Sequence, residues 1–269
     1  MNNCLVCSDK LQEFGKKGGF FILKCPRCGL GITKNLKVQS SNYHRDDIYL
    51  KEESLFKNIF LKRVNLICKF KKAGKVLEVG CSTGLMLSLF LKRGWQVRGI
   101  EISQQAAQVA QQRGIEVVVN LFEKVTFKEK FDVIIFNHTL EHMENPVKVL
   151  QKSLSLLEDN GLLYVDIPNF GGLSAQLLKA DWSLLLPAEH KWHFTYKALE
   201  ILLKRLEFKI IFSDRSSGVW DYENPIQGVF QSLISFKKRF FNELITMIPS
   251  FLVSKLNMGS NLMVISKKL

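Results

Sequence analysis

Beyond residue 75 the sequence alternates short apolar runs with stretches of helical periodicity, a pattern that few architectures accept. The runs at 76–79, 96–101, 115–119, 131–136, 161–167 and 208–213 are rich in Val, Ile and Phe and too short for buried helices. Between them, 85–93, 103–113, 146–158 and 197–206 carry apolar residues at three- and four-residue steps. Strand-helix units of this length make parallel sheets, because a parallel pair needs a crossover connection, and they cover both faces of the sheet with helices. The expected class is therefore α/β with a Rossmann-like, mostly parallel sheet. In such sheets ligands bind at the carboxyl ends of the strands, where the strand order reverses.

The chain of 269 residues, 46% hydrophobic, is long enough for one large packed domain and a small appendage. No apolar run approaches the roughly 18 residues of a membrane-spanning helix, and the N-terminus MNNCLVCSDK has no secretion-signal core. A cytoplasmic location is expected. The net charge of +13 suggests a polyanionic partner, yet it is unevenly spread. Residues 1–75 hold 16 Lys/Arg against 6 Asp/Glu, residues 76–215 hold 16 against 16, and residues 216–269 hold 6 against 3.

The appendage is marked by Cys4, Cys7, Cys25 and Cys28, a C-x2-C-x17-C-x2-C spacing at which two tight turns present four sulfurs to one tetrahedral ion. Pro26 fixes the second turn and Gly29 permits a left-handed backbone after it. Two disulfides would use the same residues, but reduced cytoplasmic thiols disfavour them. The expected occupant is one structural Zn2+ with no open coordination position, in a ribbon spanning residues 1–40 with a hairpin turn at Gly18-Gly19. A polar linker with Tyr43 and Tyr49 and an amphipathic helix at 52–72 follow, within residues 41–75. The helix is expected to pack on the next domain with its lysines solvated, the alternative being a surface for polyanions. The α/β domain is expected at 76–215 and 258–269, with a helical insertion at 216–257.

The first strand runs Val76-Leu77-Glu78-Val79-Gly80-Cys81-Ser82-Thr83-Gly84 into a helix. A dinucleotide fingerprint needs glycine where Ser82 and Leu85 stand, and no Gly-Lys-Ser/Thr closes a phosphate loop. What remains is Glu-x-Gly-x-x-x-Gly with Glu101 closing the second strand. Together with Phe131–Pro146, which contains His138-Thr139-Leu140-Glu141-His142, it resembles the class I S-adenosylmethionine-dependent methyltransferases. The resemblance implies that Glu78, Gly80, Cys81 and Gly84 line the methionine portion of that cofactor. It also implies that Glu101 binds the ribose hydroxyls, with Ile102, Asn137 and His138 completing the site, and that residues 259–268 form an antiparallel last strand.

Four of the five histidines fall in two pairs, His138 with His142 and His190 with His193. His190 is the first candidate proton acceptor for an attacking hydroxyl, with His193 and Glu189 beside it and His138 lining the site over the methyl group. Glu141 and His142 are expected to shape their loop through backbone hydrogen bonds, and Thr195 to cap the following helix. Pro187-Ala188-Glu189-His190 resembles the Tyr-His-Glu-His segment of sugar C-methyltransferases that carry an N-terminal four-cysteine domain. Pro187 replaces the tyrosine, which favours an oxygen acceptor on a sugar, nucleotide-sugar or lipid-linked glycan, as in polysaccharide biosynthesis. An RNA methyltransferase using the basic ribbon is the alternative, although no Asn/Asp-Pro-Pro-aromatic motif is present. The insertion, apolar and carrying Lys237-Lys238-Arg239, is read as a cap over the pocket or as an interfacial segment at an anionic membrane.

Overall fold

The structure is a computed structural model that describes residues 3–34, 51–234 and 239–269. The linker tyrosines Tyr43 and Tyr49, and Lys237 and Lys238, lie outside the described residues. In chain order the elements are β1 (Gln12–Lys17), β2 (Phe20–Lys24), β3 (Gly31–Thr33), α1 (Glu53–Phe70), β4 (Lys75–Val79), α2 (Leu85–Leu91), β5 (Gln96–Glu101), α3 (Gln104–Gln112) and β6 (Glu116–Val119). They continue with β7 (Phe131–Asn137), α4 (Pro146–Leu156), β8 (Leu157–Pro168), α5 (Leu173–Leu178), β9 (Trp192–His193), α6 (Tyr196–Arg205), β10 (Phe208–Asp214), α7 (Pro225–Ile234), α8 (Arg239–Lys255) and β11 (Asn261–Lys268).

Seven strands form one sheet in the order β10-β11-β8-β7-β4-β5-β6. Strands β4 to β8 run parallel, while β11 pairs antiparallel with both β8 and β10. Alternate residues face opposite layers: Leu77, Ile134 and Phe136 pack with Val149, Leu199 and Leu202, whereas Val76, Val133 and Ile135 pack with Val64, Ile67, Phe90 and Ala107. Burial on both faces explains why the central strands read as continuous apolar runs. Each fully buried Val, Leu, Ile or Phe stabilises the fold by roughly 1.5–3 kcal/mol. The order reverses between β4 and β7, so the carboxyl ends of these two strands define the ligand-binding edge.

The ribbon is less independent than its sequence suggests. Gly18 and Gly19, at φ +55° and +83°, turn the β1–β2 hairpin, and β2 pairs with β3. The fourth strand of this sheet is β9, contributed from beyond β8: Gly31 pairs with His193 and Ile32 with Trp192. Further ties come from the Thr195 hydroxyl, which donates to the Cys28 carbonyl (2.7 Å), and from Arg205, which donates to the Val6 carbonyl (2.9 Å). Gly29 sits at φ +79°, and a Cβ there would lie 2.9 Å from Thr195 Cγ2. Only glycine permits that approach.

Helix α1 buries Phe60, Val64 and Ile67 on the large sheet. Arg63, by contrast with the helix's lysines, is buried with its Nε 2.7 Å from Asp166 Oδ2. An acid inside strand β8 has to be paired, and α1 supplies the cation.

Candidate active site

The loop after β4 wraps over the strand end because Gly80 (φ +75°) and Gly84 (φ +70°) take left-handed conformations. A Cβ on Gly80 would lie 2.6 Å from Thr139 Oγ1, and one on Gly84 would lie 2.5 Å from Ile115 Cδ1. Ser82, at φ +45°, takes the same conformation without being glycine. Glu101, buried at the end of β5, anchors this loop: its carboxylate accepts from the amides of Ser82 (2.8 Å), Ile102 (2.7 Å) and Ser103 (2.9 Å). Since a carboxylate offers about four acceptor positions, room for a ligand hydroxyl remains.

Glu78 is buried beneath the loop, and its Oε2 has no hydrogen-bond partner. Burial, and then Glu101 nearby, push its carboxyl well above the usual range. Cys81 is buried too; burial and the two glutamates push its thiol up, so it is a neutral space-filler, and Gly99 leaves room for its sulfur. A small cleft opens here, lined by Glu78, Gly80, Cys81, Ser82, Thr83 and Asn137 and by the apolar Phe60, Leu85 and Met86. Ile102 stands half-exposed next to Glu101. An unpartnered buried carboxylate, a second acid and tight glycine turns suit a ligand with a cationic centre and vicinal hydroxyls.

At the end of β7 a second cluster forms. Asn137 is buried against the cleft, with an unpartnered Oδ1. His138 follows at φ +51°, a strained position for a non-glycine residue, with 41% of its side chain exposed. Its Nδ1 lies 3.5 Å from Glu141 Oε1 and its Nε2 4.0 Å from Asp166 Oδ1. Burial lowers the affinity of this ring for a proton, but the two carboxylates outweigh it and raise its pKa. Glu141 is fully buried and its carboxylate faces histidine rings, not loop backbone as the sequence suggested. Burial pushes its pKa up, yet His138, His142 and His190 hold it at about 2.

His190 stands behind Glu141, its Nε2 4.0 Å from Oε1; burial drives its pKa down to about 3. His142 packs edge-on to His190 and donates from Nδ1 to the Glu189 carbonyl (3.0 Å), so it does fix the loop. Glu141, His142 and His190 each offer one ligand atom within 4.8 Å of the others. Asp166, Arg63 and Tyr164, whose hydroxyl donates to Asp166 (3.1 Å), complete the site's rear wall. Sequence reasoning passed over all three; the signal was an aspartate inside an otherwise apolar strand.

The other candidates lie elsewhere. His193 belongs to β9, buried among ribbon residues, with its Nε2 2.9 Å from Thr33 Oγ1. Because the Thr33 hydroxyl donates to the His190 carbonyl (2.8 Å), the His193 ring must be its donor. Burial lowers the His193 pKa to about 3. Glu189 is half-buried, and burial raises its carboxyl. Thr195 caps α6 by accepting from the Ala198 amide (3.1 Å).

In the ribbon, Cys4 and Cys28 sulfurs are 3.5 Å apart, those of Cys7 and Cys25 are 3.3 Å apart, and all four thiols are free. The four sulfurs lie within 4.8 Å of one another. Tetrahedral bonds of about 2.3 Å from one ion need sulfurs nearly 4 Å apart, so the set fits one metal ion. Burial pushes the Cys25 thiol up, but the amides of Cys28 and Arg27 and the Cys7 thiol bring it down to about 7.

Comparison with known proteins accords with this geometry. Residues 52–212, more than half of the chain, match the family model described as a methyltransferase domain. A ubiquinone biosynthesis O-methyltransferase of Histophilus somni is 31% identical over 144 residues, 48% of this chain and 60% of that protein. An uncharacterised protein of Methanocaldococcus jannaschii is 30% identical over 110 residues, 40% of this chain and 52% of that one. The chain thus spans about half the length of the curated relatives it matches. Among solved structures, a plantazolicin methyltransferase in complex with S-adenosylhomocysteine shares the fold at 16% identity and TM-score 0.56, covering 82% of this chain and 88% of its own. So does an S-adenosylmethionine-dependent methyltransferase of Archaeoglobus fulgidus, at 18% identity and TM-score 0.55, covering 82% and 99%. The match to the family model, joined to a seven-stranded sheet with an antiparallel strand near one edge, shows that the chain belongs to the methyltransferase domain family.

Proposed function

We propose that this protein is an S-adenosylmethionine-dependent methyltransferase acting on a hydroxyl group, with Glu78, Gly80, Gly84 and Glu101 holding the cofactor and His138 serving as general base. The observation that carries this reading is the buried Glu78 carboxyl, whose Oε2 has no hydrogen-bond partner, beneath a glycine loop that Glu101 anchors. S-adenosylmethionine supplies an electrophilic methyl carbon on a sulfonium sulfur. Glu101 keeps acceptor capacity for the ribose hydroxyls, the backbone of the Gly80–Gly84 turn cradles the methionine portion, and Ile102 offers an apolar surface beside it. His138 takes the proton of the acceptor hydroxyl, and Glu141 and Asp166 stabilise the resulting imidazolium. His138 is preferred to His190 because its ring is open to solvent one residue beyond the cleft-lining Asn137, whereas His190 is walled off behind Glu141.

A sugar, nucleotide-sugar or lipid-linked glycan is the acceptor class we favour, from the Glu189-His190 segment and the replacement of tyrosine by Pro187. The relatives named as O-methyltransferases support an oxygen acceptor. Structural Zn2+ in the Cys4, Cys7, Cys25 and Cys28 site completes the proposal, supported by the fit of the four sulfurs. Titration calorimetry with S-adenosylmethionine tests the core of it, and absence of heat with the metal-loaded full chain overturns it. With an acceptor in hand, His138→Asn should cut kcat about 100-fold or more while cofactor affinity stays within twofold.

A further inference from the structure

We infer that the outer faces of α7 and α8 form a docking surface for an anionic lipid bilayer. Among the described residues, three hydrogen bonds anchor α8 from one side. Glu243 accepts from the Tyr222 hydroxyl (2.8 Å), the Met247 carbonyl accepts from Trp220 Nε1 (3.0 Å), and the Ser254 hydroxyl accepts from the Ser217 amide (3.0 Å). These positions follow helical spacing, so the opposite side should be polar if it faced water. Instead it carries Ile245 (73% exposed), Ile248 (68%), Leu252 (56%) and, just past the helix end, Leu256 (68%). On α7, Ile226 (82%) and Phe230 (59%) continue the pattern one turn apart. Such a concentration of exposed large apolar side chains marks an interaction surface.

Charge selects the occupant. Between residues 225 and 257 the cations are Lys237, Lys238, Arg239 and Lys255, and the single acid is Glu243, which is turned inward onto Tyr222. The net positive charge of this segment disfavours its pairing with a second copy of itself, whereas anionic headgroups complement it, at about 1 kcal/mol per basic residue near the surface. An apolar helix face in a segment whose charges are almost all Lys and Arg is the signature of a helix lying in the plane of the interface. Among the described residues no helix is long and apolar enough to cross a membrane. The segment is tied to the helix that borders the candidate site: the Asn224 amide, just before α7, donates to Asn58 Oδ1 of α1 (3.0 Å), and Phe60 of the same helix lines the cleft.

The test is co-sedimentation of the full chain with vesicles of phosphatidylcholine and phosphatidylglycerol in equal parts, and with pure phosphatidylcholine. Binding to the anionic vesicles, at least tenfold weaker to the neutral ones and at least tenfold weaker in the double variant Ile245→Glu/Ile248→Glu, is expected. Both side chains are solvent-facing, so circular dichroism of the variant should be unchanged. Failure of the native chain to sediment, or equal binding by the variant, overturns the inference. So does light scattering that shows a dimer converted to monomer by the same substitutions, since a second copy would then cover the face. None of these readouts depends on methyl transfer.

Discussion

Two glutamates one strand apart divide the work of the cleft. Glu101 spends most of its capacity on three backbone amides, so removing it unties the loop as well as weakening the ligand. Glu101→Gln, which keeps one acceptor oxygen, should weaken S-adenosylmethionine binding by about 10- to 100-fold, on the scale of a charge-assisted hydrogen bond of about 1.5–3 kcal/mol, read by calorimetry. The buried histidines predict the pH response. His190 and His193 stay neutral down to about pH 3 in the folded chain, against an ordinary value near 6.5. The unfolded chain therefore binds more protons within that window, and stability falls as pH falls from 6.5 towards 3, by up to about 1.4 kcal/mol per pH unit for each ring. Glu141, held at about 2, adds a loss of the same sign below its ordinary value of 4.5. His138 and Glu78, whose raised pKa values let the folded chain bind protons first, act in the opposite direction, so the buried ring is isolated by comparison: His193→Asn should lose less denaturant midpoint between pH 7 and pH 5 than the native chain.

At the scale of elements, the surprise is β9. The ribbon sheet recruits it, so the segment carrying His190 and His193 is built partly from the four-cysteine module. Thr33 joins the two by donating to the His190 carbonyl and accepting from the His193 ring. Thr33→Val leaves both buried partners unsatisfied and should cost about 1–3 kcal/mol for each group, measured as a lower urea midpoint, with cofactor affinity unchanged because no contact to the glycine loop is lost. Most other elements were legible. The run at 96–101 became β5 with those bounds, and the run at 161–167 is the inner part of β8, which starts at Leu157. Periodicity locates such elements because each must bury one face or two. It could not locate β9, two residues long and paired with strand residues more than 150 positions away.

Across the whole molecule, the +13 charge no longer stands alone as a sign of a polyanion. The electrically balanced stretch of 76–215 contains the candidate cofactor cradle and histidine cluster, and most of the excess lies with the ribbon and α1. Ligand binding should be felt globally, since the cradle spans α2, β4, β5 and β7. At 100 times its dissociation constant, S-adenosylhomocysteine should add about 2.7 kcal/mol, a rise in Tm of roughly 5–10 °C for a domain of this size, checked by scanning calorimetry. By itself the sequence determined the parallel sheet, the glycine loop with its two acids and the four-sulfur site, because each rests on local spacing within one or two elements. Only the tertiary structure decided that Arg63 is buried on Asp166, that Glu141 faces three histidines, that the ribbon borrows β9 and that α8 turns its apolar side outward. Those facts depend on which surfaces meet once the sheet is assembled, and no spacing along a chain encodes the identity of a neighbour contributed by a distant segment.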